Sequence, residues 1–322
     1  MHVPDGFLDL KTLATTGTLS MGGVLLALRR LSRGLPRRRI PLMGLAAAFL
    51  FAAQMLNFPV AAGTSGHLVG AVLAAVLLGP SAAIVAVTAV LVVQALLFAD
   101  GGLLALGANI LNMALVAVLG GYAAFRALGR LLPGERGFLA ATAFAAWLSV
   151  LLASVACAAE LAVSQVAPWR LVFPAMAGVH MVIGVGEALI TALVVAAILR
   201  TRPELVAGRS ATPESASARI RVPVAAALLG ILTLVLIGVP LASTRPDGLE
   251  RVAEALGFAS RASTPGRSAP MPDYHLALLG SSTAATWAAA LVGVLVVFLL
   301  SCALAAVLAR KVGAGTTTAS KG

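Results

Sequence analysis

Apolar residues along this chain form long blocks separated by short polar breaks. Most blocks hold about twenty residues, which is the length that a helix needs to cross ~30 Å of hydrocarbon. The pattern therefore predicts an all-α polytopic membrane protein. The nine predicted spans are approximately 12–28, 41–58, 67–79, 81–99, 103–125, 137–160, 173–199, 222–241 and 276–309.

The third block is the shortest. It covers residues 67–79 and ends in Gly79-Pro80, so as a helix it reaches only ~20 Å. We expect this segment to tilt or to stop inside the protein. If all nine blocks cross, the two termini lie on opposite sides of the bilayer.

The composition narrows the protein class. The chain is 60% hydrophobic and 11% charged, whereas an average soluble domain is ~25% charged. A GxxxxGK[ST] phosphate loop and an HExxH helix are both absent, so neither Walker-type ATP hydrolysis nor zinc proteolysis is expected. Cys157 and Cys302 lie inside apolar blocks and are expected to be small buried residues. The composition therefore indicates a membrane protein and gives no support to these two enzyme classes.

The net charge of +11 would suit a nucleic-acid partner if the basic residues formed one face. Instead the arginines occupy every second connection, around 29–39, 126–136 and 200–221, and basic residues follow the last block at 310–311. This distribution is typical of cytoplasmic loops. We expect no nucleic-acid partner, and we expect a multi-pass protein of the cell inner or plasma membrane with an outer N-terminus and a cytoplasmic C-terminus.

The chain divides into two predicted modules. Residues 1–200 form a seven-helix bundle, and residues 222–322 form a two-helix module with an outer segment at 243–274. Between them, residues 201–221 are rich in Arg, Ser, Ala, Pro and Glu, a composition typical of a solvated cytoplasmic linker.

Polar and ionisable residues near the membrane interior are functional candidates because burying them is costly. In this chain they converge on the predicted outer half. They are His2, His67, Asp100, Asn109, Asn112, Glu160 and His180.

The N-terminus offers the most specific chemistry. With His at position two, the α-amine of Met1, the His2 amide nitrogen and an imidazole nitrogen hold three corners of a plane, an arrangement suited to Ni²⁺ or Cu²⁺ and less to Co²⁺. His67 follows the glycine-containing loop 62–66 and could supply the fourth corner. The sequence lacks a basic signal-peptide start, so we expect the mature protein to begin at or next to Met1. The alternatives are a solvated terminal His2 and an interfacial His67.

The remaining polar residues have weaker interpretations. His180, Gly184 and Glu187 share one helix face, either beside a metal or in hydrogen bonding between closely packed helices. Asn109 is interpreted as a packing residue and Asp100 as part of a turn. Gln54 and Asn57 could support a site or cap a span.

Four separated motifs resemble those of one family. They are MHVPDGFL at 1–8, GTSGHL at 63–68, QALLFADGG at 94–102 with LGAN at 106–109, and VHMVIGVGEA at 179–188. These are similar to the CbiM/NikM family, the substrate-binding membrane components of energy-coupling-factor cobalt and nickel importers. The resemblance implies that Met1, His2 and His67 supply the metal ligands. Residues that could orient these ligands are Gln54, Asn57, Ser65, Asp100, Asn109, His180 and Glu187.

The second module also carries a resemblance. Pro246, Asp247, Gly248, Leu249 and Glu250 spell the PDGLE motif of the small CbiN/NikN partner. The chain therefore looks like a fusion of two components, in which the outer loop would help to place or gate the N-terminal segment.

The resemblance implies capture of Ni²⁺ or Co²⁺ as a transported substrate, with no resident cofactor. The expected partners are the lipid bilayer, a transmembrane coupling subunit and two cytoplasmic ATPases. The alternative is an ion-coupled secondary transporter in which His180, Glu187 and Glu160 relay the ion.

Overall fold

The computed structural model describes residues 1–207, 221–263, 269–280 and 282–316. Most of the predicted linker, residues 208–220, therefore lies outside the described residues. The described chain is almost entirely helical, with two strands of two residues each. An all-helical polytopic architecture is confirmed.

Eleven α-helices occur among the described residues. They are α1 Leu10–Leu31, α2 Ile40–Met55, α3 Ala71–Leu78, α4 Pro80–Val93, α5 Leu106–Asn109, α6 Ala117–Leu131, α7 Gly134–Val163, α8 Trp169–Thr201, α9 Arg221–Leu241, α10 Gly248–Leu256 and α11 Thr283–Thr316. Strands β1, Phe58–Pro59, and β2, Ser65–Gly66, pair antiparallel between α2 and α3. Short 3₁₀ turns lie at Arg37–Arg39, Ala61–Gly63, Pro203–Leu205, Ala259–Arg261, Pro272–Tyr274 and Ala277–Leu279.

Two helices contain π-helical turns. The helix that begins with α4 continues as Gln94–Phe98, and α5 joins α6 through Ile110–Val116. Both turns flank the loop that carries Asp100, and wide turns of this kind often occur beside functional sites.

Six helices of the described chain are long and apolar enough to cross a membrane. They are Pro80–Phe98, Leu106–Leu131, Gly134–Val163, Trp169–Thr201, Val224–Leu241 and Thr283–Ala309. Helices α1, α2 and α3 are not among them, although the sequence predicts nine spans. α2 has 16 residues and α3 has 8, so at 1.5 Å per residue they reach only ~24 Å and ~12 Å.

The third predicted span is wrong in its first residues. Residues 67–70 are not helical, and α3 begins at Ala71. The far end of α3 nevertheless meets the basic end of the bundle, because Arg39 Nη1 donates to the Leu77 carbonyl at 3.2 Å and the Ala207 amide donates to the Val76 carbonyl at 2.9 Å. This part of the chain therefore begins with four non-helical residues, 67–70, and continues as α3. The non-helical residues place His67 below the surface, where it is 6% exposed.

The first bundle packs against the later helices through small residues. A Cβ on Gly293 of α11 would overlap the Phe51 ring, and one on Gly44 of α2 would overlap Cys302. Ala48 and Ala52 of α2 also pack with α9 and α11. Close contact through small side chains is the usual means of joining membrane helices.

Candidate metal centre

The N-terminal segment runs into the protein instead of lying on its surface. Met1 is 4% exposed and Val3 is fully buried. The backbone of Val3 is held as in a sheet: its amide donates to Asn109 Oδ1 at 2.7 Å, and its carbonyl accepts from Asn109 Nδ2 at 3.1 Å and from the Gly102 amide at 2.9 Å. Asn109 therefore acts as a clamp that fixes the direction of the two residues before Val3.

Asp5 anchors the same segment. Its carboxylate accepts hydrogen bonds from the amides of three consecutive residues, Leu103, Leu104 and Ala105, at 3.1, 2.9 and 3.0 Å. These amides precede α5, where a negative charge is favourable. The sequence does not predict this role, because Asp5 in a Pro-Asp-Gly string indicates only a turn.

His67 lies on backbone that is buried without helical hydrogen bonds. Glu187 of α8 supplies the missing acceptors, since its two carboxylate oxygens accept from the Val69 and Gly70 amides at 2.7 and 2.8 Å. On the other side, Gln54 Nε2 donates to the Val69 carbonyl at 2.9 Å. Irregular backbone at membrane depth needs such partners, so Glu187 and Gln54 fix the position from which His67 projects.

The Met1 amine and the two histidines meet. The Met1 amine nitrogen lies 2.9 Å from His67 Nε2. Two nitrogens bound side by side in a square plane, each ~2.0 Å from the metal, would be ~2.8 Å apart. The His2 and His67 rings stack with centroids 5.1 Å apart and planes 20° apart. The structure therefore brings Met1, His2 and His67 into one buried cluster, which we call the Met1 cluster.

The His2 ring faces Asp100. Nδ1 lies 3.0 Å from Asp100 Oδ1, and Nε2 is buried and has no hydrogen-bond partner among the described residues. A chelate with the His2 amide requires Nδ1 to face the metal, because only Nδ1 closes a six-membered ring. Turning the ring by 180° exchanges Nδ1 with Cδ2 and Nε2 with Cε1, and both orientations fit the same ring shape.

Asp100 is more than a turn residue. Its other oxygen, Oδ2, accepts from the Tyr274 hydroxyl at 2.5 Å. Burial opposes ionisation of Asp100, but the charge and hydrogen bond of His2 and the Tyr274 hydroxyl hold its pKa well below the usual range. These contacts therefore favour an ionised Asp100 carboxylate beside His2.

The PDGLE motif reaches the same cluster. Asp247 forms an ion pair with the Met1 amine and caps α10 in a reciprocal capping box with Glu250. Burial opposes ionisation of Asp247, but the positively charged Met1 amine holds its pKa well below the usual range. Ser65 joins the motif to the His67 hairpin, because its amide donates to the Pro246 carbonyl at 2.8 Å. Leu249 is buried under α10.

The other predicted residues have separate partners. His180 Nδ1 lies 2.8 Å from the Met176 carbonyl, and its ring faces Gly248, where an added Cβ would lie 2.7 Å from Cε1. Glu160 accepts from Asn112 Nδ2 at 2.8 Å. Asn57 receives the Ser243 amide at its carbonyl, at 2.8 Å. His180, Glu187 and Glu160 therefore each bond to a different group, and no hydrogen bond between them is seen in the described chain.

Side chains alone do not form a conventional metal site here. Within the described ranges, no three His, Cys, Asp or Glu side chains are grouped to hold an ion. Any chelate at this cluster must therefore use main-chain nitrogens, and the Met1 amine and His2 amide are the ones beside two imidazoles.

Comparison with known proteins matches both parts of the chain. Residues 2–205 match CbiM, the cobalt uptake substrate-specific transmembrane region, and residues 221–310 match the PDGLE domain. The putative fused nickel transport protein NikMN of Archaeoglobus fulgidus is 37% identical over 306 residues, which cover 94% of this chain and 98% of the relative.

Further relatives agree. The fused nickel transport protein NikMN of Rhodobacter capsulatus is 35% identical and is matched over 91% of this chain and 94% of its own length. A crystal structure of a truncated transition metal transporter is 34% identical, with a TM-score of 0.57, and the match covers 62% of this chain and 99% of that one. The chain therefore belongs to the CbiM family and carries a PDGLE domain on the same polypeptide.

Proposed function

We propose that this multi-pass membrane protein is the metal-capturing component of an importer for Ni²⁺ or Co²⁺. Its fused relatives are named nickel transport proteins, and others are named cobalt transport proteins. In this proposal the metal is the transported substrate. The residues 1–200 hold it, and the residues 222–322 cover the site.

The observation that carries the proposal is the 2.9 Å approach of the Met1 amine to His67 Nε2 beside the stacked His2 ring. We assign four ligands: the Met1 amine, the His2 amide nitrogen, His2 Nδ1 and His67 Nε2. An amide nitrogen loses its proton only to an ion that favours square-planar nitrogen ligands, which favours Ni²⁺ or Cu²⁺, and to a lesser degree Co²⁺, over Mg²⁺ and Ca²⁺. The names of the relatives favour Ni²⁺ or Co²⁺ within this set. Asp247 holds the amine in place before the metal arrives.

Energy for uptake comes from elsewhere in this proposal. The sequence contains no Walker phosphate loop, so the chain depends on a transmembrane coupling subunit and two cytoplasmic ATPases. The arginines around residues 29–39 lie on the cytoplasmic side, and the Met1 cluster opens outward. The alternative, a secondary transporter with an ion relay through His180, Glu187 and Glu160, is less favoured. Each of these three residues forms its hydrogen bonds with a separate group.

The test is metal binding by the purified full chain in detergent. Wild-type protein should bind about one Ni²⁺ with the absorption of a square-planar nitrogen site, and His2→Ala and His67→Ala should each lose that band. His275→Ala is the matched control, because His275 contacts Thr286 at 3.2 Å and is not part of the cluster. Full Ni²⁺ affinity in either His2→Ala or His67→Ala, with the protein folded, would refute the ligand set.

A further inference from the structure

His2 and His67 of the Met1 cluster line a partly open cavity whose charge is opposite to that of the protein. The chain carries a net charge of +11, yet the cavity, of about 770 Å³, has no Lys or Arg among its described lining residues. Five of the residues that line it are acidic: Asp100, Asp247, Glu250, Glu254 and Asp273.

The acidic lining comes mostly from the second module. Asp100 belongs to the first bundle, whereas the other four carboxylates belong to the PDGLE segment and to the turn before α11. Without residues 243–274 the cluster would face outward beside a single carboxylate. The second module therefore changes the electrostatic surroundings of the N-terminal site as well as covering it.

An independent feature connects this cavity to a cation. His2 lines the cavity with its side chain only 6% exposed, and the buried Nε2 has no partner in the described structure. A buried imidazole with one unpaired ring nitrogen is costly, and in an acidic cavity a metal ion is a partner that this ring can bind, through Nδ1 once the ring has turned as described above. The carboxylates and the unpaired nitrogen thus point to the same class of ligand.

We propose that the acidic cavity is an electrostatic vestibule in which the PDGLE module concentrates hydrated divalent cations above the Met1 cluster. The vestibule raises the association rate of the metal ion, whereas the nitrogen ligands determine which metal is bound. This inference rests on the proposed function and assigns the second module a part in it. Clefts lined by one sign of charge are known to raise association rates of oppositely charged ligands.

Glu254 and Asp273 test the vestibule because they line it without contacting the cluster. Glu254 Oε2 lies 3.6 Å from Arg251 Nη1, its one ion-pair partner among the described residues, and Asp273 is exposed. A sphere of the cavity's volume is about 11 Å across, and at roughly that separation two charges change the local concentration of a divalent ion ~5-fold at 0.01 M salt. At 1 M salt the effect should vanish, because the Debye length falls to ~3 Å.

The experiment measures Ni²⁺ association with the purified full chain by stopped-flow absorbance at both salt concentrations. The double variant Glu254→Gln with Asp273→Asn should associate ~5-fold more slowly at low salt and dissociate at the wild-type rate. Two controls accompany it. Glu135→Gln with Glu204→Gln removes two carboxylates that do not line the cavity, and Glu254→Asp with Asp273→Glu keeps both vestibule charges. Each control should associate at the wild-type rate.

The outcomes separate the two proposals. An unchanged association rate in the double variant, with normal Ni²⁺ binding by the wild type, overturns the vestibule alone. A double variant that associates at the wild-type rate but dissociates faster also overturns the vestibule, since that result means that the carboxylates bind the metal directly. A wild-type chain that binds no Ni²⁺ removes the proposed function and the vestibule together.

Discussion

Replacing Glu187 should damage the metal site from a distance, although Glu187 touches none of the proposed ligands. Its two oxygens accept from the amides of Val69 and Gly70, and the side chain is fully buried. Glu187→Ala leaves both amides without acceptors. Each orphaned buried amide costs about 1–3 kcal/mol, so the expected destabilisation is about 2–6 kcal/mol.

The functional consequence follows from the position of His67. Val69 and Gly70 follow His67 almost directly, so a backbone that moves to find new partners carries the ring with it. Losing a group that orients a ligand typically weakens metal binding 10- to 100-fold. We expect Ni²⁺ affinity to fall by that factor in Glu187→Ala, and by less in Glu187→Gln, which keeps one acceptor oxygen.

The assay combines Ni²⁺ titration calorimetry with the thermal midpoint of the same preparation. Glu160→Gln is the matched control, because Glu160 is another buried glutamate whose partner, Asn112, is a side chain. It should lower the midpoint and leave Ni²⁺ affinity unchanged. Wild-type Ni²⁺ affinity in Glu187→Ala would refute the positioning argument, even if stability falls.

Two further predictions concern the N-terminal segment. One additional residue before Met1 should reduce Ni²⁺ binding as much as His2→Ala does, because it displaces an amine that is buried beside His67 and Asp247; an extended chain with full affinity in calorimetry would count against the amine as a ligand. Gly6→Ala should also impair binding and stability, since Gly6 has φ +91° and an added Cβ would overlap the Arg261 carbonyl. Gly17→Ala is its control, because nothing lies within 4 Å of a Cβ there, and an Ala inside a helix should stabilise it by about 0.5–1 kcal/mol. Equal thermal midpoints for the two glycine variants would contradict the conclusion that Gly6 must be a glycine because of its positive φ and its approach to the Arg261 carbonyl.

Hydropathy located the helices because a membrane helix must be apolar over most of its length, which is a local property. It failed at residues 67–70, which border an apolar block but are not helical. The partners that permit this conformation are Glu187, which accepts from the Val69 and Gly70 amides and lies more than 100 residues away, and Gln54, which donates to the Val69 carbonyl. No local pattern therefore distinguishes buried non-helical backbone from the first turn of a span.

The cluster was predictable only in part. The position of His2 beside a terminal amine suggests a chelate directly from the residues, with His67 after the glycine-containing loop as a candidate fourth ligand, and the family motifs favour this interpretation over its alternatives. The role of Asp5 and the pairing of Tyr274 with Asp100 had no sequence signal, because each depends on contacts nearly 100 residues or more apart. The division into two modules, the orientation and the ligand set remain predictions, and the Ni²⁺-binding experiments above test the ligand set.

The ion pair between Asp247 and the Met1 amine has a consequence for assembly. It joins the N-terminus to the PDGLE segment of the same chain, so this segment meets the Met1 cluster as an intramolecular partner at an effective concentration in the millimolar range. Dilution cannot separate the two, and every copy has one cover for one site. A version split into two polypeptides would have to form this contact by collision, and at low expression part of the population would lack the cover.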